Sequence, residues 1–214
     1  MDDRDHQHME NAVRQARSSL SEVGRIQPKV GVVVADKLGK LLGTAYRGEN
    51  QPKEHAEYIA LERKLHDESL VGATIYTTLE ACTTRNHPKV PCAQWIIDRN
   101  IKRVVVGMLD PNFSICGNGV RTLRKAGIAV ELFPTDLMAE VEELNRTFTS
   151  HQERQAKERA ELQGQLNAAG ISRILTRNQV TDSSNGLRWK DLVEHCTESI
   201  RIIRWSCRNV HDGT

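Results

Sequence analysis

An α/β sandwich, with helices on both faces of a central sheet, is the fold this sequence predicts. Two observations carry it. Runs of β-branched residues, such as those within Val30–Ala35 and Val104–Val106, alternate with segments whose apolar residues recur every three or four positions. That alternation is the pattern of parallel crossovers, in which each helix packs back onto the sheet. At 214 residues the chain has room for one well-buried core and an extension.

Taken in order, Met9 to Val23 places Ala12, Val13, Ala16, Leu20 and Val23 at helical spacing, and Gly24 is suited to end that helix. Val30 to Ala35 reads as a strand, Asp36-Lys37-Leu38-Gly39 as a turn, and Leu41 to Tyr46 as the returning arm of an antiparallel hairpin. After a loop, His55 opens a helix to Leu65 with Ile59 and Leu61 on one side. Ala73 to Leu79 is the next strand, Pro91 suits the first turn of a helix to Asp98, and Ile101 to Met108 holds the strongest strand signal. Gly119 to Ala126 fits a helix and Ile128 to Phe133 a last strand. Pro134 to Phe148 fits a helix with Leu137, Val141, Leu144 and Phe148 on one face.

From Ser150 onward the chain turns strongly polar, so that helix is expected to leave the core there. This divides the protein into residues 1–149, a first domain, and 150–214, a helical extension. Within the extension Trp189, Val193, Cys196, Ile200, Ile203 and Cys207 follow a heptad seam, with Arg201, Arg204 and Arg208 beside it. A single such helix must bury its seam against the first domain or another subunit, and a homo-oligomer is expected.

Charge and composition narrow the function. The 30 basic and 28 acidic residues nearly cancel, and through Ser150 there are 20 of each sign. Nucleic-acid binding usually leaves a basic face, so this balance favours a small-molecule substrate. Five cysteines in no small-domain disulfide pattern suit a reducing compartment, and a polar, acidic N-terminus without an apolar run argues against secretion. The cytoplasm is therefore expected, with no membrane partner, since no apolar stretch approaches a membrane span.

The chemistry concentrates in Glu54-His55-Ala56-Glu57, Thr78-Leu79-Glu80-Ala81-Cys82 and Val90-Pro91-Cys92. One imidazole and two thiolates, from His55, Cys82 and Cys92, would fill three of the four positions zinc prefers and leave the fourth for water. Glu57, two residues past the histidine, is then placed as the general acid/base, as in zinc nucleobase deaminases. The rival reading is a closed structural zinc site with His87 or Cys116 as the fourth ligand and Glu57 a solvated helix residue. Nine residues separate the two cysteines, against the two most common in zinc deaminases. His6, His8, His66, His151, His195 and His211 read as surface residues.

The order His55-Ala56-Glu57, Thr78 to Cys82, Pro91-Cys92-Ala93, Ile101 to Val106 and Asp110-Pro111-Asn112 resembles the pyrimidine deaminase domain of the bifunctional riboflavin-biosynthesis deaminase/reductase. The resemblance runs from Met9 to Phe133. It implies a three-layer α-β-α, cytidine deaminase-like fold with a mixed five-stranded sheet, a Zn2+ cofactor, and hydrolytic deamination of a phosphoribosylamino-pyrimidine. A long loop between the cysteines is typical of that family. The resemblance also implies ring contacts from Lys29, Arg47 and Asn112.

This chain departs from the family at several positions. Ala81 stands where the family has proline, Thr83 to Val90 replaces a glycine-bearing loop, Lys29 replaces an asparagine and Arg47 a histidine. Lys29 and Arg47 could meet a substrate phosphate or could be surface charges, and the sequence leaves both open. The segment after Ser150 lacks the nucleotide-binding character of the family's reductase domain. Two rival functions stand beside small-molecule deamination. One is a deaminase of nucleic-acid bases, which the chain's nine aromatic residues poorly equip for base stacking. The other is a non-enzymatic assembly or sensing module built on a deaminase-like core.

Overall fold

The computed structural model describes residues 2–168 apart from Ser21, Val23 and Ser114. The heptad pattern between Trp189 and Cys207 lies outside the described residues. The chain divides into two compact units, one through Ala160 and one from Glu161. Five strands, β1 (Gly31–Ala35), β2 (Leu41–Tyr46), β3 (Thr74–Leu79), β4 (Arg103–Met108) and β5 (Ala129–Leu132), form one sheet in the order β2-β1-β3-β4-β5. β1 runs antiparallel to both neighbours, whereas β3, β4 and β5 are parallel. The sheet is mixed, as the family resemblance implies.

Both faces are covered, so β1, β3 and β4 are buried almost throughout and read as near-continuous apolar runs. Helices α1 (Asp3–Arg17) and α5 (Thr135–Leu144) pack together in one layer. The other holds α2 (Ala56–Tyr58), its π-helical continuation over Ile59–Lys64, α3 (Cys92–Asp98) and α4 (Asn118–Lys125). A last helix, α6 (Arg146–Ala168), extends the chain with a largely exposed surface beyond Gln152.

Helix α1 starts six residues earlier than the apolar period predicts and ends at Arg17, well short of Gly24. Its polar first turns are held from outside the helix. The Asp2 side chain caps the start by accepting from the Asp5 amide, and Asp5 pairs with Arg103 on β4. Its inner face is Met9, Ala12, Val13 and Ala16, while Leu20 lies past the end and is exposed. Burial of Met9 and Val13 contributes about 1.5–3 kcal/mol each. The helix can sit this close to β1 only because residue 31 is glycine: a Cβ there would lie 2.1 Å from the Ala12 carbonyl oxygen.

The hairpin turn forms as predicted. The Asp36 carboxylate accepts from the Leu38 and Lys40 amides, and Gly39 takes a φ of 80°. The helix expected over Pro134 to Phe148 is instead broken at Asn145. That side chain is buried; its Oδ1 accepts from the Lys29 amide at 2.7 Å and its Nδ2 donates to the Lys29 and Val141 carbonyls. A contact spanning 116 residues thus fixes the bend and pins the strand that enters β1.

Candidate metal centre

Three element ends converge. His55 is the residue before α2, in extended conformation (φ −78°, ψ 146°), so its ring projects from the helix start while Glu57, two residues on, is buried. Cys82 follows the end of β3. Cys92 is the first residue of α3, just after Pro91, whose fixed φ suits a helix start. The Cys82 sulfur accepts from the Cys92 amide at 3.4 Å, and its carbonyl accepts from the Ala93 amide at 3.1 Å. A thiolate there faces the positive end of a helix.

The His55 Nδ1 lies 3.6 Å from the Cys82 sulfur and 3.4 Å from the Cys92 sulfur, and one ligand atom from each of the three residues falls within 4.8 Å of the others. Such a donor set of one imidazole and two thiols suits a borderline-soft metal ion. Among the described residues no further histidine, cysteine or carboxylate joins it. His87 is exposed in the inter-cysteine loop and Cys116 lines a different groove. The two thiols share protons unequally: hydrogen bonds from Cys92 and His55 lower the Cys82 pKa, while the hydrogen bond to Cys82 and burial raise that of Cys92.

Glu57 completes the arrangement. Its Oε2 lies 3.5 Å from the Cys92 sulfur, and burial raises its pKa against the opposing attraction of His55. A carboxylate this buried and this close to metal-ligating atoms can hold and release a proton.

A cavity of about 170 Å³ opens beside these groups, lined by His55, Glu57 and Cys82 together with Gln27, Arg47, Glu80, Asp110 and Phe148. Drug-sized ligands occupy roughly 300–1,000 Å³, so this space suits a single ring. Of the sequence-predicted contacts, Arg47 reaches the cavity. Lys29 and Asn112 do not line it: Lys29 is held through its backbone by Asn145, and the Asn112 amide donates to Asp110. Gln27, Asp110 and Phe148 also belong to the wall, although the sequence assigned none of them a substrate contact.

Glu80 shows how the wall is built. Its buried carboxylate accepts from the amides of Asp110, Gly117 and Val120 at 2.9–3.1 Å, fastening the loop after β4 and the start of α4 to the Cys82 segment. Gly119 permits this approach, since a Cβ would lie 2.2 Å from the Ala81 carbonyl oxygen.

The way this sheet delivers metal-ligating atoms to one end puts the protein in the cytidine deaminase-like class. The chain belongs to the family described as "Cytidine and deoxycytidylate deaminase zinc-binding region", whose profile matches residues 2–108. RibD-type deaminases are among its matches. Riboflavin biosynthesis protein RibD of Aquifex aeolicus is 44% identical over 124 residues, which are 58% of this chain and 33% of that protein. The diaminohydroxyphosphoribosylamino-pyrimidine deaminase of Buchnera aphidicola subsp. Schizaphis graminum is 38% identical over 122 residues, 53% of this chain and 76% of that protein. Among solved structures, the bifunctional deaminase/reductase of Thermotoga maritima superposes with a TM-score of 0.61 at 33% identity, covering 71% of this chain and 42% of that one. The match thus spans about a third of the Aquifex RibD protein.

Proposed function

We propose that this protein is a zinc-dependent hydrolytic deaminase of a small aminopyrimidine, releasing ammonia, with residues 1–149 as the catalytic domain and 150–214 as a helical extension. The observation that carries it is the buried Glu57 carboxylate sharing one cavity with the His55, Cys82 and Cys92 ligand atoms. Zinc on those three donors supplies a Lewis acid that makes a water molecule a nucleophile near neutral pH.

The remaining work belongs to the protein's own groups. Glu57 takes a proton from the attacking water and delivers one to the ring nitrogen beside the attacked carbon. It then passes a proton to the departing amine, so water and aminopyrimidine become oxopyrimidine and ammonia. Burial suits Glu57 to this exchange, because a raised pKa brings its two protonation states closer in energy at neutral pH. Gln27, Arg47 and Asp110 supply polar contacts to the ring, and Phe148 an apolar wall.

Relatives named as diaminohydroxyphosphoribosylamino-pyrimidine deaminases support a pyrimidine nucleotide of riboflavin type as the substrate. The cavity favours the same division, with the ring enclosed and any sugar and phosphate outside. Ammonia release from a panel of aminopyrimidine bases, nucleosides and nucleotides tests this reading. Release from at least one is expected, and none from any would refute it.

A further inference from the structure

Asn145 does not line the cavity, yet it holds together two segments that do. The residue is 2% exposed, and its amide is engaged entirely within the protein. Oδ1 accepts from the Lys29 amide at 2.7 Å, while Nδ2 donates to the Lys29 carbonyl at 3.1 Å and to the Val141 carbonyl at 3.2 Å. One side chain therefore takes both backbone groups of Lys29, the two-point pairing that a neighbouring strand would otherwise supply. Such pairing fixes the orientation of this peptide as well as its distance.

The backbone of Asn145 has a second task. At φ −104° and ψ 10° it leaves the helical path and ends α5, and its carbonyl accepts from the Thr149 amide at 2.9 Å as α6 begins. Phe148 lies in that first turn of α6 and reaches the cavity wall, as Gln27, Pro28 and Val30 do from around Lys29. Any change in the bend at Asn145 moves Phe148. The reacting groups stand apart from this clamp, since His55, Glu57, Cys82 and Cys92 come from α2, the end of β3 and α3.

We infer that Asn145 is a positioning residue that sets the ring size the cavity accepts, by holding Phe148 and the segment 27–30 as one wall. The cavity of about 170 Å³ has room for a single ring, and a second fused ring would have to push this wall aside. Pushing it aside breaks the bonds of a buried amide and leaves the Lys29 backbone groups without partners, which is costly away from water. The inference rests on the reading that the cavity holds the ring of an aminopyrimidine, and it adds what limits that ligand to one ring.

The test is calorimetric titration of the zinc-loaded full chain with two probes, 2-pyrimidinone and purine. Both are neutral and neither has an amine to lose, so binding is read without turnover; they differ in having one ring or two. The wild type is expected to prefer 2-pyrimidinone by at least about 10-fold, the low end of what the fit of a small apolar group is worth. Asn145→Ala and Phe148→Ala should each lower that preference about 10-fold, with zinc content unchanged. A wall opened by either change is not opened twice, so the double variant should match Phe148→Ala within about 2-fold, where independent effects would multiply. Asn145→Asp keeps the acceptor for the Lys29 amide but sets an oxygen against two carbonyls, and it should shift the preference in the same direction.

A purely structural role for Asn145 would weaken both probes together and leave their ratio unmoved, and that result would overturn the inference. So would purine bound as well as 2-pyrimidinone by the wild type, 2-pyrimidinone undetectable in the wild type, or effects that multiply in the double variant. If Asn145→Ala does not fold, Asn145→Asp takes its place; if neither folds, Phe148→Ala decides, a lowered preference sustaining the inference and an unchanged one ending it. Ammonia release from an aminopyrimidine with a preference indifferent to Asn145 would remove this inference and leave the deaminase reading standing. An Asn145-dependent preference without ammonia release from any aminopyrimidine would do the reverse.

Discussion

Two clusters of charged and polar groups sit at opposite ends of the parallel strands β3 and β4, and they handle charge in opposite ways. At the start of β4, Arg103 makes paired bonds to Asp5 at 2.7 and 3.0 Å and to Glu131 at 2.9 and 2.8 Å, while the Tyr76 hydroxyl donates to Asp5. Every charge there is answered. The Arg103 bonds hold the Asp5 carboxyl down from the ordinary 3.8 to about 2, even against partial burial. At the other end, beyond β3, Glu57 is buried with its pKa raised, two thiols compete for ionisation, and Arg47 keeps an unanswered donor. One cluster ties α1 to the sheet; the other gathers three donors able to hold a metal ion beside a cavity. Buried titratable groups with shifted pKa values gathered around a cavity distinguish this end.

Several substitutions separate the two clusters. The largest effect is expected from Cys82→Ser, which removes one of three donors: metal content measured by mass spectrometry should fall to a small fraction of wild type, and ammonia release with it. Retention of full metal content would remove Cys82 from the ligand set. Glu57→Gln should keep the metal and lose about 10²- to 10⁴-fold in turnover, the usual worth of general acid/base assistance. Equal turnover would take the proton role from Glu57.

At the paired end, Asp5→Asn should leave metal content and turnover intact and cost stability of about 2 kcal/mol at neutral pH. The sign follows from a folded pKa below the unfolded one: the contribution is complete above the ordinary 3.8 and disappears as pH falls through about 2. Urea midpoints of wild type and variant should accordingly differ at pH 7 and converge towards pH 2. A gap that persisted at pH 2 would mean that the carboxylate's charge is not the source. The smallest effect belongs to the exposed pair Arg17–Glu140, with side chains 57% and 41% exposed. Arg17→Ala should cost less than about 1 kcal/mol and shrink further in salt, and a larger loss would show that this surface pair ties α1 to α5.

These contrasts also explain which parts of the molecule were legible in the sequence. The strands were, because a sheet buried on both faces demands the apolar runs seen in β1 and β4. The Asp36–Gly39 turn was too, since its hydrogen bonds are local. His55, Cys82 and Cys92 stood out because few residue types ligate soft metals, and the structure brings them together.

What stayed hidden depends on partners distant in the chain. Asn145 looks like an ordinary helix residue until its side chain is seen closing on Lys29. The same contact anchors Lys29 by its backbone, and Lys29 does not line the cavity, although Pro28 and Val30 on either side of it do. The first turns of α1 lack apolar period because Asp5 is held by an ion pair. Phe148 fitted a helix's apolar face in the sequence, but the break at Asn145 carries it into the wall of the cavity. Gln27 and Glu22 carry no chemical motif, and only their bonds to Arg47 reveal them.

A zinc ion completing the cluster beyond β3 for deamination is the proposal on which these expectations depend. Its most direct test is to measure metal content and ammonia release together, on an aminopyrimidine that the protein accepts, before chelation, after chelation and after zinc is returned. About one zinc per chain is expected, the filling of a single three-donor site, with ammonia release abolished by chelation and restored by zinc. Undiminished release from metal-free protein would contradict it.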